Sequence, residues 1–223
     1  MKKALIVIGE LRFINAGQYQ RFLLLVRHFD IFIATSSLYE KPCKVITSNY
    51  TIDNFIDIKN NKKQFYRLIT LLNKYKQKLK QYDAIFKMRT DLTFDKPICE
   101  IDDFEPNTLY SYTDAFFYAE SSHFIQVFEK LQKDIDKDNF KISYSNLFFS
   151  DIDSCKFEWS HSHLHFIISF FKYTDSRIIK DTFIPEKFFA SFVNQYTIVK
   201  NIPFNVSLMF DKFTRQNNMT YLL

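Results

Sequence analysis

Glycine is nearly missing from this chain, with 2 among 223 residues. A glycine-rich phosphate cradle therefore cannot be built, which removes both the P-loop and the G-x-G-x-x-G dinucleotide site. Cysteine is scarce and odd in number. Cys43, Cys99 and Cys155 are widely spaced and form neither a C-x-x-C pair nor a zinc pattern, so reduced thiols in a cytoplasm are expected. Long hydrophobic runs are absent too. Met1-Lys2-Lys3 followed by Ala4–Ile8 imitates the start of a signal peptide, but the apolar run stops at Gly9-Glu10 without a cleavage site. No stretch nears the ~20 apolar residues of a membrane span. Charge is only mildly one-sided, at +5, which admits a phosphorylated ligand or an anionic membrane surface. Nucleic acid is not an expected partner, because the basic residues gather on one helix and the acids are spread throughout.

What is present is apolar and aromatic: 47% of residues are hydrophobic and 18% aromatic, enough for one sizeable core. With no repeat, linker or composition break, a single domain over 1–223 is expected. Ala4–Ile8 reads as a central strand covered on both faces. A helix follows over Gln18–His28, then a strand over Asp30–Thr35, which together make a βαβ unit. Val45–Thr47 reads as a weaker third strand. Between Lys62 and Tyr82, the apolar residues Phe65, Leu68, Ile69, Leu72, Tyr75, Leu79 and Tyr82 recur at helical steps, and Asn60 or Asn61 can cap the start. Lys62, Lys63, Lys74, Lys76, Lys78 and Lys80 occupy the opposite face, ordinarily a solvated one. Ala84–Met88 is the next apolar strand. Thr108–Thr113 and Phe116–Ala119 read as an antiparallel pair. Short helices follow at Phe124–Leu131, Leu164–Phe171 and Glu186–Asn194, the last started by Pro185. The expected class is α/β, a mixed and mostly parallel sheet flanked by helices.

Chemistry-bearing residues gather where strands end. Ala84–Met88 stops abruptly at Arg89-Thr90-Asp91, at the carboxyl edge where open α/β sheets bind ligands. A carboxylate there can hold Mg²⁺ or Mn²⁺ against a diphosphate, and an arginine offers a fixed fork of donors to the same phosphates. An Arg–Asp pair closing a strand end is the equally ordinary alternative. The first strand ends similarly in Gly9-Glu10-Leu11-Arg12, where Gly9 permits close approach of a ligand and Arg12 adds positive charge.

Taken together, Gly9-Glu10-Leu11-Arg12-Phe13, Phe29-Asp30-Ile31-Phe32, Gln64 on the long helix and Tyr82-Asp83 leading into Met88-Arg89-Thr90-Asp91-Leu92-Thr93-Phe94 resemble a family of bacterial and viral glycosyltransferases. These act in lipopolysaccharide, capsule and related glycan assembly. Asp114–Tyr118 and Pro185–Phe188 match the family's later segments. The resemblance implies a GT-A type, Rossmann-like fold, with Arg-x-Asp where other members carry Asp-x-Asp. It implies a metal-assisted hexosyltransferase that uses Mn²⁺ or Mg²⁺, a nucleotide-diphosphate sugar donor and a glycan or lipid-linked acceptor. Residues 1–95 would form the donor half and 96–223 the acceptor half. Gly9, Glu10, Arg12, Thr35, Arg67, Arg89, Thr90 and Asp91 are the expected donor contacts, with Asp91 as metal ligand. An inverting transfer also needs a carboxylate base. Asp114 is the first candidate; Glu158, beside Trp159, is the second.

His161, His163 and His165 would share a face on a strand, and His161 and His165 would stack on a helix, so either arrangement can chelate a metal. A structural role is the ordinary reading, and His163 is the candidate additional metal ligand. A cytoplasmic location follows, with at most peripheral contact at the inner face of a membrane through the lysine-rich helix. The alternative to an enzyme is a non-catalytic nucleotide-sugar or glycan-binding module of the same fold.

Overall fold

β1 (Lys3–Ile8) is buried at all of its positions, as the unbroken apolar run Ala4–Ile8 requires of a strand covered on both faces. The computed structural model describes residues 1–11, 13, 16–58, 60–112, 114–136 and 185–208. Around β1 the described elements run α1 (Ala16–Val26), β2 (Asp30–Ser36), α2 (Glu40–Ile46), β3 (Tyr50–Asp53), α3 (Asn60–Leu79), β4 (Ala84–Met88), β5 (Leu92–Phe94), β6 (Thr108–Tyr112), β7 (Phe116–Glu120), α4 (Ser121–Phe128), α5 (Leu131–Ile135), α6 (Pro185–Tyr196), β8 (Ile198–Asn201) and β9 (Val206–Leu208).

Among the described residues seven strands form one mixed sheet in the order β3-β2-β1-β4-β7-β6-β8. β3, β2, β1 and β4 are mutually parallel, β7 is antiparallel to both β4 and β6, and β8 is parallel to β6. The α/β class and the mostly parallel sheet are as expected. β5 and β9 pair separately as a two-stranded ribbon.

Two apolar layers sandwich the sheet, because alternate strand residues face opposite sides. On one face Ile6, Phe32, Ile85 and Phe117 pack beneath α3, α4 and α6. On the other, Leu5, Val7, Ile33 and Phe86 meet Phe22 and Val26 of α1 and Cys43 of α2.

One strand expectation is corrected. Val45–Thr47 is not the third strand: Val45 belongs to α2, and Thr47 N donates to Cys43 O to close that helix. Pro42 lies in the first turn of α2, where its missing N–H costs nothing. The third strand is instead Tyr50–Asp53. The apolar stripe expected over Phe124–Leu131 is divided into α4 and α5.

α3 buries Phe65, Leu68, Ile69, Leu72 and Leu79, as its periodicity requires. Several of its lysines are tied down. Lys74 donates to Tyr50 O at 3.0 Å, Lys78 to Asn49 Oδ1 at 2.9 Å, and Lys76 pairs with Glu129. Among the described residues, no helix is long and apolar enough to cross a membrane. The helix expected over Leu164–Phe171 lies outside the described residues.

Candidate functional site

The four parallel strands deliver their carboxyl ends to one edge. β7, running the other way, begins at that edge, with Phe116 beside Met88. This is why segments far apart in sequence meet there. Gly9 follows β1, Arg89-Thr90-Asp91 follows β4, Asp53 closes β3, and Asp114 immediately precedes β7. Main-chain groups clamp the loops together. Gly9 N donates to Ala34 O at 3.0 Å, and Arg89 N to Ala115 O at 3.2 Å. The Thr90 hydroxyl donates to Glu10 O at 3.1 Å. α1 and α3 also start at this edge, the helix end that attracts anions.

Gly9 has φ +105°, a conformation that favours glycine. A Cβ there would meet no atom within 4 Å, so backbone conformation, rather than crowding, demands the residue.

Arg89 and Asp91 flank Thr90 in the turn that links β4 to β5, and the turn brings their side chains together. Arg89 Nε donates to Asp91 Oδ1 at 2.9 Å, and Nη2 to Oδ2 at 2.5 Å. The pair is a two-pronged fork, with the Arg89 side chain 25% exposed and that of Asp91 9%. Beside it, Asp114 is buried and its Oδ2 accepts a 2.6 Å hydrogen bond from Gln64 Nε2. One turn further along α3, Arg67 is held by Asp53 through Nε–Oδ2 at 2.5 Å and Nη2–Oδ1 at 3.4 Å.

Two side chains at this edge, Lys87 and Asp53, carry no expectation from the pattern, and Gln64 gains a partner in Asp114 that the sequence does not give. Lys87 did carry a signal, being the one charge within an otherwise apolar strand. Its ammonium is buried, donates to Asp114 O, and lies 5.1 Å from the centre of the Phe117 ring. Burial lowers its pKa to about 8; the Asp114 carboxylate opposes that shift, Arg89 adds to it, and Asp91 opposes it. The sign of the stability effect follows. Between about 8 and the ordinary 10.5 of the unfolded chain, the unfolded state holds the proton more tightly, so stability rises with pH through that window. In Lys87→Met this rise should vanish. Denaturant midpoints of both proteins from pH 7 to 10.5, taken as a difference, measure it; parallel curves would refute it.

Of the expected donor contacts, Gly9, Glu10, Arg89, Thr90 and Asp91 meet at this edge. Arg67 reaches it from α3, already paired with Asp53. Thr35 lies fully buried in β2, with its hydroxyl lacking a hydrogen-bond partner. In this arrangement Thr35 presents nothing to a ligand. Arg12, Glu158, His161, His163 and His165 lie outside the described residues. Among the described residues no three His, Cys, Asp or Glu side chains cluster as a metal site. Asp91 nonetheless suits a cation, since it already holds one: the Arg89 guanidinium occupies both of its oxygens. A divalent ion here would rest on Asp91 and on phosphate oxygens brought by a ligand, a pattern Mg²⁺ commonly adopts.

A cavity of about 530 Å³ between α1 and Leu92–Pro97 reaches Met88 and Thr90 and so borders this site. A larger one, about 810 Å³, lies at the opposite edge around Met1, Asp83 and Glu120. The smaller cavity is the relevant one, because it adjoins the converging strand ends.

No family model matches this chain, and no curated protein matches it. Among solved structures, it is similar to a glycosyltransferase involved in the glycosylation of the major capsid of PBCV-1, at 9% identity and a TM-score of 0.37, over 62% of this chain and 67% of that one.

Proposed function

We propose that the chain is a glycosyltransferase that transfers a sugar from a nucleoside-diphosphate donor to a glycan or lipid-linked acceptor at the carboxyl edge of the sheet. The observation that carries this reading is the meeting of Arg89-Thr90-Asp91 with Asp114, brought to one edge by the β4–β7 pairing. The ordered motifs that resemble the transferase family support it.

In this reading Arg89 takes the diphosphate through its donor fork and neutralises charge that grows as the glycosidic bond breaks. Asp91 would hold Mn²⁺ or Mg²⁺, which, when bound, supplies further Lewis-acid stabilisation to the leaving diphosphate. Asp114 accepts the proton of the acceptor hydroxyl as that oxygen attacks the anomeric carbon from the side opposite the leaving group. Gln64 holds Oδ2 of Asp114, so the other carboxylate oxygen receives the proton. Lys87 fixes the loop through Asp114 O and keeps positive charge close to the carboxylate.

A second reading, a binding module without turnover, is favoured by one observation. Asp114 is only 5% exposed, and Asp91 is covered by Arg89. A thermal-shift panel of UDP-, GDP-, dTDP- and CMP-sugars with and without Mn²⁺ tests whether the site takes a donor, since ligand binding raises apparent stability by mass action. At least one nucleoside-diphosphate sugar is expected to raise the midpoint, and more so with Mn²⁺. A flat response across the panel would sink both readings; a shift without release of nucleoside diphosphate would leave the module.

A further inference from the structure

The Arg89–Asp91 fork sets a condition on what the site can bind, and the rest of the tripeptide defines it. The backbone is anchored on both sides, by Arg89 N to Ala115 O and by the Thr90 hydroxyl to Glu10 O. The fork can therefore open by rotation of the Arg89 side chain alone. That side chain is the more exposed partner, 25% against 9% for Asp91. With both Asp91 oxygens engaged at 2.9 and 2.5 Å, a divalent ion meets a carboxylate already neutralised by a guanidinium, and the two cations repel each other at so short a range. A diphosphate carries more negative charge than a carboxylate and matches the same planar fork, so it competes for Arg89 on favourable terms.

We infer that Arg89 is a built-in counter-cation that keeps Asp91 from binding a divalent ion until a diphosphate draws the guanidinium away. The inference rests on the donor-site reading above. Its consequence is reciprocal coupling: whatever factor the diphosphate adds to metal affinity, the metal adds to diphosphate affinity. Isolated Mn²⁺ should then bind poorly, and the site should load as a metal–diphosphate pair.

The test uses the full chain and follows free Mn²⁺ by electron paramagnetic resonance, with inorganic pyrophosphate as the second probe. Wild type should bind Mn²⁺ weakly alone. Arg89→Gln should bind Mn²⁺ at least ~10-fold more tightly without pyrophosphate, as coupling free energies of this kind allow. Adding Asp91→Asn to it should return affinity to the wild-type level. Arg89→Lys, which keeps the charge but loses the fork, should fall between and serves if the glutamine variant does not fold. Pyrophosphate should tighten Mn²⁺ binding to wild type beyond the metal–pyrophosphate complex formed in solution. If Arg89→Gln gains nothing while wild type still takes Mn²⁺ with pyrophosphate, the gating is overturned and the site survives. If neither protein takes Mn²⁺ even with pyrophosphate, the donor-site reading falls with it.

Discussion

Asp91→Asn should lower the release of nucleoside diphosphate from the donor by two to three orders of magnitude. Asparagine keeps the shape of the side chain and one acceptor for Arg89, but removes the charge that would hold a divalent ion. Losing one preorganised electrostatic contact to a developing charge typically costs about 10²–10³ in rate. The substitution should disturb the fold little, because Arg89 is partly exposed and can be solvated once its partner is neutral. Steady-state release measured with and without Mn²⁺, alongside thermal melts, separates the two effects. A loss below about tenfold would remove Asp91 from the chemistry. A collapse of the melting midpoint would instead make the fork a structural clasp.

The second large effect is on stability. Phe117, the second residue of β7 and 2% exposed, has the rings of Phe124, Phe128 and Phe189 at 5.7, 5.0 and 4.9 Å, and the Lys87 ammonium over its face. Truncation to alanine deletes an aromatic side chain from a closely packed layer that can collapse only in part, which costs about 3–5 kcal/mol. It also strips the cation–π partner from a buried lysine. Urea unfolding should show a lower midpoint at unchanged slope, with Phe117→Leu losing less than half as much. A loss under about 1.5 kcal/mol would mean that the layer repacks freely, against the usual cost of core truncation.

The elements whose burial follows from local periodicity were legible beforehand: β1, β2, α3, β4 and the β6–β7 pair. α2 and β3 were not, because the β-branched run Val45-Ile46-Thr47 favours a strand locally, while the segment is too short for a helical period to outweigh it. β8 and β9 are four and three residues long and acquire their partners at a distance, Leu208 beside Leu92 and Val199 beside Leu109. No local signal encodes such pairings. At the site, the place of Arg89 and Asp91 at the carboxyl edge follows from the end of an apolar strand, whereas the arrival of Asp114 there depends on the antiparallel β4–β7 pairing. That Arg89 closes on Asp91 was visible as an alternative, since an arginine and an aspartate beside a strand end commonly form an ion pair. That Arg67 is held by Asp53 was not, because the strand bearing Asp53 had been assigned elsewhere. Thr35 shows the same dependence on tertiary packing: its place near a strand end does not reveal that neighbouring elements bury it.

Among the described residues β3 is a terminal strand of the main sheet, the kind of place where another chain could add itself by backbone pairing. Here the Tyr50 carbonyl is taken by both the Lys74 ammonium and the Tyr75 hydroxyl, each at 3.0 Å, and Lys78 occupies Asn49 next to it. The same side chains that fasten α3 to the sheet thus deny its rim to strangers. Positive charge at that rim also adds an electrostatic cost for a second copy approaching in the same register.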